Sequence, residues 1–163
     1  MRKRGTVWII VALLLAACFS LSGCGTDDID ISDYEQMTIT LTGLEEGEQA
    51  ITIAELKAMD CITKKTHSTS DKIGEVRATG PLLDTVLEPY GLSQKDFSKI
   101  KIYAKDDYDI TLTGSILEEK DIILAFGLDK EPLEADEQPV RIIIPESDSA
   151  YWLRMVKKLE FIQ

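Results

Sequence analysis

The sequence predicts a single α+β domain in which a mixed β-sheet is interleaved with short helices. Three observations carry the prediction. Apolar and polar residues alternate with period two in Met37–Thr42 and on both sides of Asp106-Asp107, as half-buried strands do. Short helical patterns fall between such runs: Thr52-Ile53-Ala54-Glu55 has capping-box spacing, and Leu82, Leu83, Val86 and Leu87 share one helical face. No internal repeat interrupts the chain, and no linker is long enough to separate a second domain from the first.

The N-terminus is read separately. Arg2-Lys3-Arg4 precedes an apolar run from Val7 to Phe19, the layout of a secretory signal. Those 13 residues would rise only about 20 Å as a helix, short of the roughly 30 Å hydrocarbon core, so a permanent span is not expected. Leu21-Ser22-Gly23-Cys24 follows and resembles the bacterial lipobox at all four positions. The resemblance implies a signal peptide over residues 1–23, cleavage before Cys24, and a lipid on the Cys24 thiol. An ordinary secretory leader with a chance cysteine is the alternative. The expected protein is held to a bacterial membrane by its lipid anchor, on the extracytoplasmic side.

From Gly25 to about Gln36 the chain is polar and acidic, and residues 24–36 read as a lipidated N-terminus and tether. Ile29, Ile31 and Tyr34 support the other reading, an ordered arm along the domain. Residues 37–163 form the domain itself. After the first strand, a short helix is expected from about Ile53 to Met59, then an extended stretch from Cys61 to Thr69 with Glu75–Thr79 returning beside it. Gly80-Pro81 reads as a turn that places Pro81 at the first position of a helix, which Pro89-Tyr90-Gly91 stops. Ile100–Leu112 is the clearest hairpin, and Ser115-Ile116-Leu117-Glu118 has a second capping-box spacing. Asp121–Phe126 reads as a buried strand and Val140–Ile144 as a central one ended by Pro145, with Lys158–Ile162 as the last strand.

Composition excludes several classes. The leader holds three of the 18 basic side chains and none of the 29 acidic ones, so its loss moves the formal charge from −11 to −14. Such a surface repels nucleic acid. With Cys18 in the leader and Cys24 lipidated, Cys61 is left without a disulfide partner, and His67 is the only histidine. That is too few for a conventional Cys/His zinc site, and no HExxH, Walker or Gly-x-Ser-x-Gly motif is present.

The order of elements resembles the molybdopterin-binding oxidoreductase domain of sulfite oxidase and its relatives, from about Thr38 to Ile162. The carrying stretches are Ile53–Met59, Thr79–Leu87, Ala104–Tyr108, Asp121–Phe126, Glu131-Pro132-Leu133 and Val140–Pro145. In that family the strand after the first short helix ends in a cysteine whose thiolate ligates molybdenum. Here the corresponding place falls near Thr69 or Ser70, and Cys61 lies about eight residues early. The resemblance also implies a folded-export signal in cofactor-carrying relatives, whereas Arg2-Lys3-Arg4 is not an adjacent arginine pair.

The expected function is therefore a non-catalytic member of this fold that binds a small ligand or an envelope protein, with no cofactor. Candidate ligand-binding residues are His67, in a hydroxyl-rich loop with Ser68, Thr69 and Ser70, together with Arg77, Tyr108 and Arg141. The alternative is a molybdopterin-dependent oxidoreductase or redox subunit that uses Cys61 as metal ligand, with Arg77 or Arg141 on phosphate. A structural envelope protein is the third reading. Asp106, Asp107 and Asp109 lack calcium-loop spacing and read as a charged hairpin tip.

Overall fold

The computed structural model describes residues 28–70 and 74–163. The leader and Cys24 lie outside the described residues. Strands β1 (Thr38–Thr42) and β2 (Gln49–Thr52) open the domain and run into helix α1 (Ile53–Ala58). The predicted cap is present: Thr52 Oγ1 accepts from the Glu55 N–H at 3.1 Å, and the Glu55 carboxylate accepts from the Thr52 N–H at 2.7 Å. That reciprocal pair satisfies the backbone at the helix start.

Strands β3 (Cys61–His67) and β4 (Glu75–Pro81) pair antiparallel along their whole length. Gly80 and Pro81 belong to that ladder, opposite Ile62 and Cys61, and do not form the expected turn. Helix α2 (Leu83–Leu87) instead starts two residues later with Leu82 as its cap. Proline fits the end of a strand because it lacks the N–H a ladder needs. A glycine is required at position 80, where a Cβ would collide with the Leu124 carbonyl oxygen.

The predicted hairpin is β5 (Lys99–Ala104) with β6 (Asp109–Thr113), and β11 (Val156–Ile162) closes the chain. These join β1 and β2 in one five-stranded mixed sheet ordered β2-β1-β11-β5-β6, with β1 and β11 parallel and the other neighbours antiparallel. Ile39, Leu41, Ile100, Ile102, Leu112, Leu159 and Phe161 point to its inner face and are buried. On the outer face the Tyr103 hydroxyl donates to Glu160 at 2.6 Å, under a Lys158 ammonium 4.1 Å from the ring centroid.

Helix α3 (Ser115–Glu119) corrects a second expectation. Ser115 is its first helical residue, Gly114 precedes it at φ 54°, and no side chain caps the start. Strands β7 (Ile123–Ala125), β8 (Gly127–Leu128), β9 (Glu131–Pro132) and β10 (Arg141–Ile143) complete the fold. The run Val140–Ile144 is largely buried, yet β10 has only β7 as a ladder partner and is not a central strand. A continuous apolar run reports burial on both faces, not rank in a sheet. On the other side, Ile142 N–H donates to the Leu153 carbonyl at 2.8 Å.

Residues 28–36 are an ordered arm, so the tether reading does not hold for them. Ile29, Ile31 and Tyr34 are 1%, 4% and 2% exposed. The Tyr34 hydroxyl donates to the Phe126 carbonyl at 2.5 Å and accepts from the Leu133 N–H at 3.1 Å. Lys57 clasps the arm's start, donating to the Ile29 carbonyl at 2.6 Å and pairing with Asp28 at 3.2 Å. Among the described residues no helix is long and apolar enough to cross a membrane.

Candidate functional site

The cysteine and the loop expected to replace it occupy opposite ends of β3. Cys61 is the first residue of that strand and His67 the last, about 20 Å apart at the rise of an extended chain. Cys61 is 6% exposed, and its Sγ faces the Leu56 carbonyl at 3.4 Å and the Lys57 carbonyl at 3.8 Å, at the end of α1. Burial, reinforced by the charge of Asp60, pushes its thiol pKa up to about 11. The group is a protonated donor to a helix end, not a thiolate with open coordination space.

At the far end of β3, hydroxyls fasten the chain. Ser68 Oγ donates to the Ser147 carbonyl at 3.1 Å and accepts from the Ser70 N–H at 3.1 Å. Thr69 N–H donates to the Ser147 carbonyl at 2.9 Å, and Glu146 N–H to the His67 carbonyl at 3.3 Å. Ser147 Oγ in turn donates to the Ile144 carbonyl at 2.7 Å, which also accepts from the Trp152 indole at 2.9 Å. Ser68 and Ser147 are buried. Buried hydroxyls are stable only when their bonds are made, and these are made.

This serine-rich junction leads into a cleft of about 310 Å³. Ser149 belongs to both, with its Oγ 3.1 Å from Ser70 Oγ and its side chain on the cleft. One wall comes from the β5–β6 turn, with Asp106 and Tyr108; the other is the segment before β11, with Trp152, Leu153, Arg154 and Met155. The Lys105 N–H donates to the Met155 carbonyl at 2.9 Å and ties the two together. Asp106 Oδ1 accepts from the Tyr108 N–H at 3.2 Å, and Asp107 takes the left-handed turn position at φ 67°. Tyr108 is 56% exposed and, with Met37, one of two exposed large apolar side chains among the described residues.

The four candidate ligand-binding residues are not gathered at one place. Tyr108 lines the cleft. His67 is exposed at the rim of the serine junction and meets it through its backbone. Arg77 lies on β4, where its N–H donates to Asp129 at 2.8 Å. Arg141 is the first residue of β10, its side chain only 11% exposed and paired with Glu137. Burial lowers the Arg141 pKa against the pull of Glu137, and its Nε is buried without a partner. The cleft's cation is Arg154, 3.2 Å from Asp136. Trp152 with Tyr151 reads in the sequence as either an aromatic recognition surface or a core contact, and Trp152 is buried at 3% exposure. Neither Arg154 nor Ser149 stands out as a site residue, because the lining comes from segments about forty positions apart. The aspartates of the hairpin tip are engaged locally: Asp106 caps the turn and Asp107 pairs with Lys157 at 2.9 Å.

Two of the other hollows differ in character. One of about 120 Å³ lies around Gln94, whose amide donates at 2.8 Å to the Leu117 and Lys120 carbonyls and knots α3 in place. The other, about 360 Å³, is a shallow groove beside Thr85 and Leu92. Of these three, only the cleft brings a cation, a carboxylate, a hydroxyl and an exposed aromatic ring together.

A five-stranded mixed sheet, a four-stranded sheet ordered β3-β4-β8-β9 and the two-stranded β10-β7 pair, interleaved with short helices, make an α+β domain. A family model described as the oxidoreductase molybdopterin binding domain matches residues 26–163, and the chain belongs to that family. Among solved structures it is similar to the sulfane dehydrogenase SoxCD from Paracoccus pantotrophus, with a TM-score of 0.66 and 16% identity. The likeness covers 78% of this chain and 38% of that one, so it bears on the fold alone. No curated protein matches the chain.

The residues present do not fit a molybdenum centre ligated by a cysteine thiolate. Cys61 is the one free cysteine among the described residues, at the wrong end of β3 and engaged with α1. No group of three or more His, Cys, Asp or Glu that could hold a metal occurs among the described residues.

Proposed function

We propose that the chain is a lipid-anchored, extracytoplasmic binding protein built on the molybdopterin-binding oxidoreductase fold. It holds a small polar ligand at the cleft between Tyr108 and Arg154 without a thiolate-bound metal. The single observation behind this reading is the state of Cys61: buried, protonated and held by the Leu56 carbonyl. The anchor rests on Leu21-Ser22-Gly23-Cys24, since two or three acyl chains at about 0.8 kcal/mol per buried CH₂ hold a protein to a membrane. Exposed large apolar side chains are confined to Met37 and Tyr108 among the described residues, which disfavours a purely structural envelope role.

The family match over residues 26–163 favours a second reading, a molybdopterin-dependent oxidoreductase or redox subunit. For Cys61 to serve it, the thiol would have to leave the Leu56 carbonyl and turn out of the core. Native mass spectrometry of the protein released gently from its own membranes separates the two. The first reading expects a lipid-sized mass addition lost in Cys24→Ser, and no pterin retained. A pterin-sized adduct lost in Cys61→Ser supports the second.

A further inference from the structure

The cleft carries two opposite charges that do not neutralise one another. Arg154 pairs with Asp136 outside the cleft lining, and one of the five guanidinium N–H donors is engaged there. Asp106 has no cationic partner among the described residues; its carboxylate accepts only the backbone N–H of Tyr108. Tyr108, 56% exposed, lines the same cleft, as does Ser149, whose hydroxyl donates to Ser70 Oγ at 3.1 Å. Trp152 adds only apolar surface, its indole N–H being spent on the Ile144 carbonyl.

An unpaired carboxylate beside an exposed aromatic ring is a seat for an ammonium group, which gains from both the charge and the ring face. A guanidinium with free donors is a seat for a carboxylate. The net charge of −11 disfavours the approach of a simple anion, whereas a molecule of no net charge meets no such barrier. A volume of about 310 Å³ suits a ligand of amino-acid or dipeptide size, at the small end of the usual range of roughly 300–1,000 Å³.

We propose that the cleft binds a small zwitterion, its carboxylate on Arg154 and its ammonium on Asp106 and the ring of Tyr108. This rests on reading the cleft as the ligand site and narrows the ligand to one chemical class. The distance between the ligand's two charges then sets specificity.

The test uses the purified mature chain and a ladder of ω-amino acids: glycine, β-alanine, 4-aminobutyrate and 6-aminohexanoate. Acetate and methylammonium are the half-ligands. NMR follows the Tyr108 amide and the Arg154 Nε–H. One rung should bind at least about tenfold more tightly than either half-ligand and move both signals. Arg154→Met should lose the response to acetate, and Asp106→Asn the response to methylammonium. Asparagine can still accept the Tyr108 N–H, so the turn is kept. If acetate shifts Arg154 while no zwitterion surpasses it, the cleft remains a ligand site and the zwitterion is refuted. If no probe moves either signal, both the class and the site fall.

Discussion

Cys61 Sγ faces the Leu56 carbonyl at 3.4 Å, joining the first residue of β3 to the last turn of α1. The contact makes the thiol a member of a helix terminus. Its pKa of about 11 against an ordinary 9.0 leaves roughly one hundredth of the usual thiolate at pH 8, so alkylation of the folded protein should be about 100-fold slower than of the unfolded chain. A rate near that of a free thiol would remove the main support for the structural role.

The same shift predicts a pH dependence. The folded state keeps a proton that the unfolded chain releases from about pH 9. The stability contributed is full below that value and is lost as pH climbs toward about 11, at most roughly 2–3 kcal/mol. Urea titrations at pH 8 and about 10.5 should show a larger fall for the wild type than for Cys61→Ala. Equal falls would assign the loss to other groups.

Tyr34 fixes the arm through two bonds its hydroxyl alone can make, to the Phe126 carbonyl and from the Leu133 N–H. Tyr34→Phe keeps the ring and should cost about 1–3 kcal/mol, measured by chemical denaturation. A neutral result would mean that the arm is held by Ile29 and Ile31 alone.

Arg141 and Glu137 are an ion pair with 11% and 15% side-chain exposure. Arg141→Met should cost about 3 kcal/mol, because it strands a mostly buried carboxylate, while the double change with Glu137→Met should cost less than the two singles summed. Strict additivity would show that the pair is not coupled.

Gly80 tolerates no side chain beside the Leu124 backbone. Gly80→Ala must push β4 from β7, and a destabilisation of roughly 1–3 kcal/mol is expected in a thermal melt. An unchanged midpoint would show that the two strands separate freely.

Much of the fold was legible in the sequence because its cues are local. Alternation marked β1, β5 and β6, and the Thr52–Glu55 spacing marked α1, since each needs only neighbours in the chain. The misread places depend on distant packing. Ile29, Ile31 and Tyr34 point to an ordered arm but are too sparse to outweigh the acidic tract, and what buries them is Phe126, Gly127 and Leu133, about a hundred residues on. Likewise Gly80-Pro81 carries a turn composition, but the close approach of Leu124 makes it the end of a strand. Of the four candidate site residues only Tyr108 reached the cleft lining; Arg141 and Arg154 are both arginines near the same acidic loop, and only the fold says which one faces the hollow.

The measurement that bears most directly on the central claim is the molybdenum content of the protein, taken from its own membranes in cells that make the cofactor. A domain that keeps the fold without a metal-ligating thiolate should carry molybdenum at well under one atom per ten chains, unchanged by Cys61→Ser. A ratio near one to one, falling on that substitution, would contradict the account and return Cys61 to the centre of a redox site.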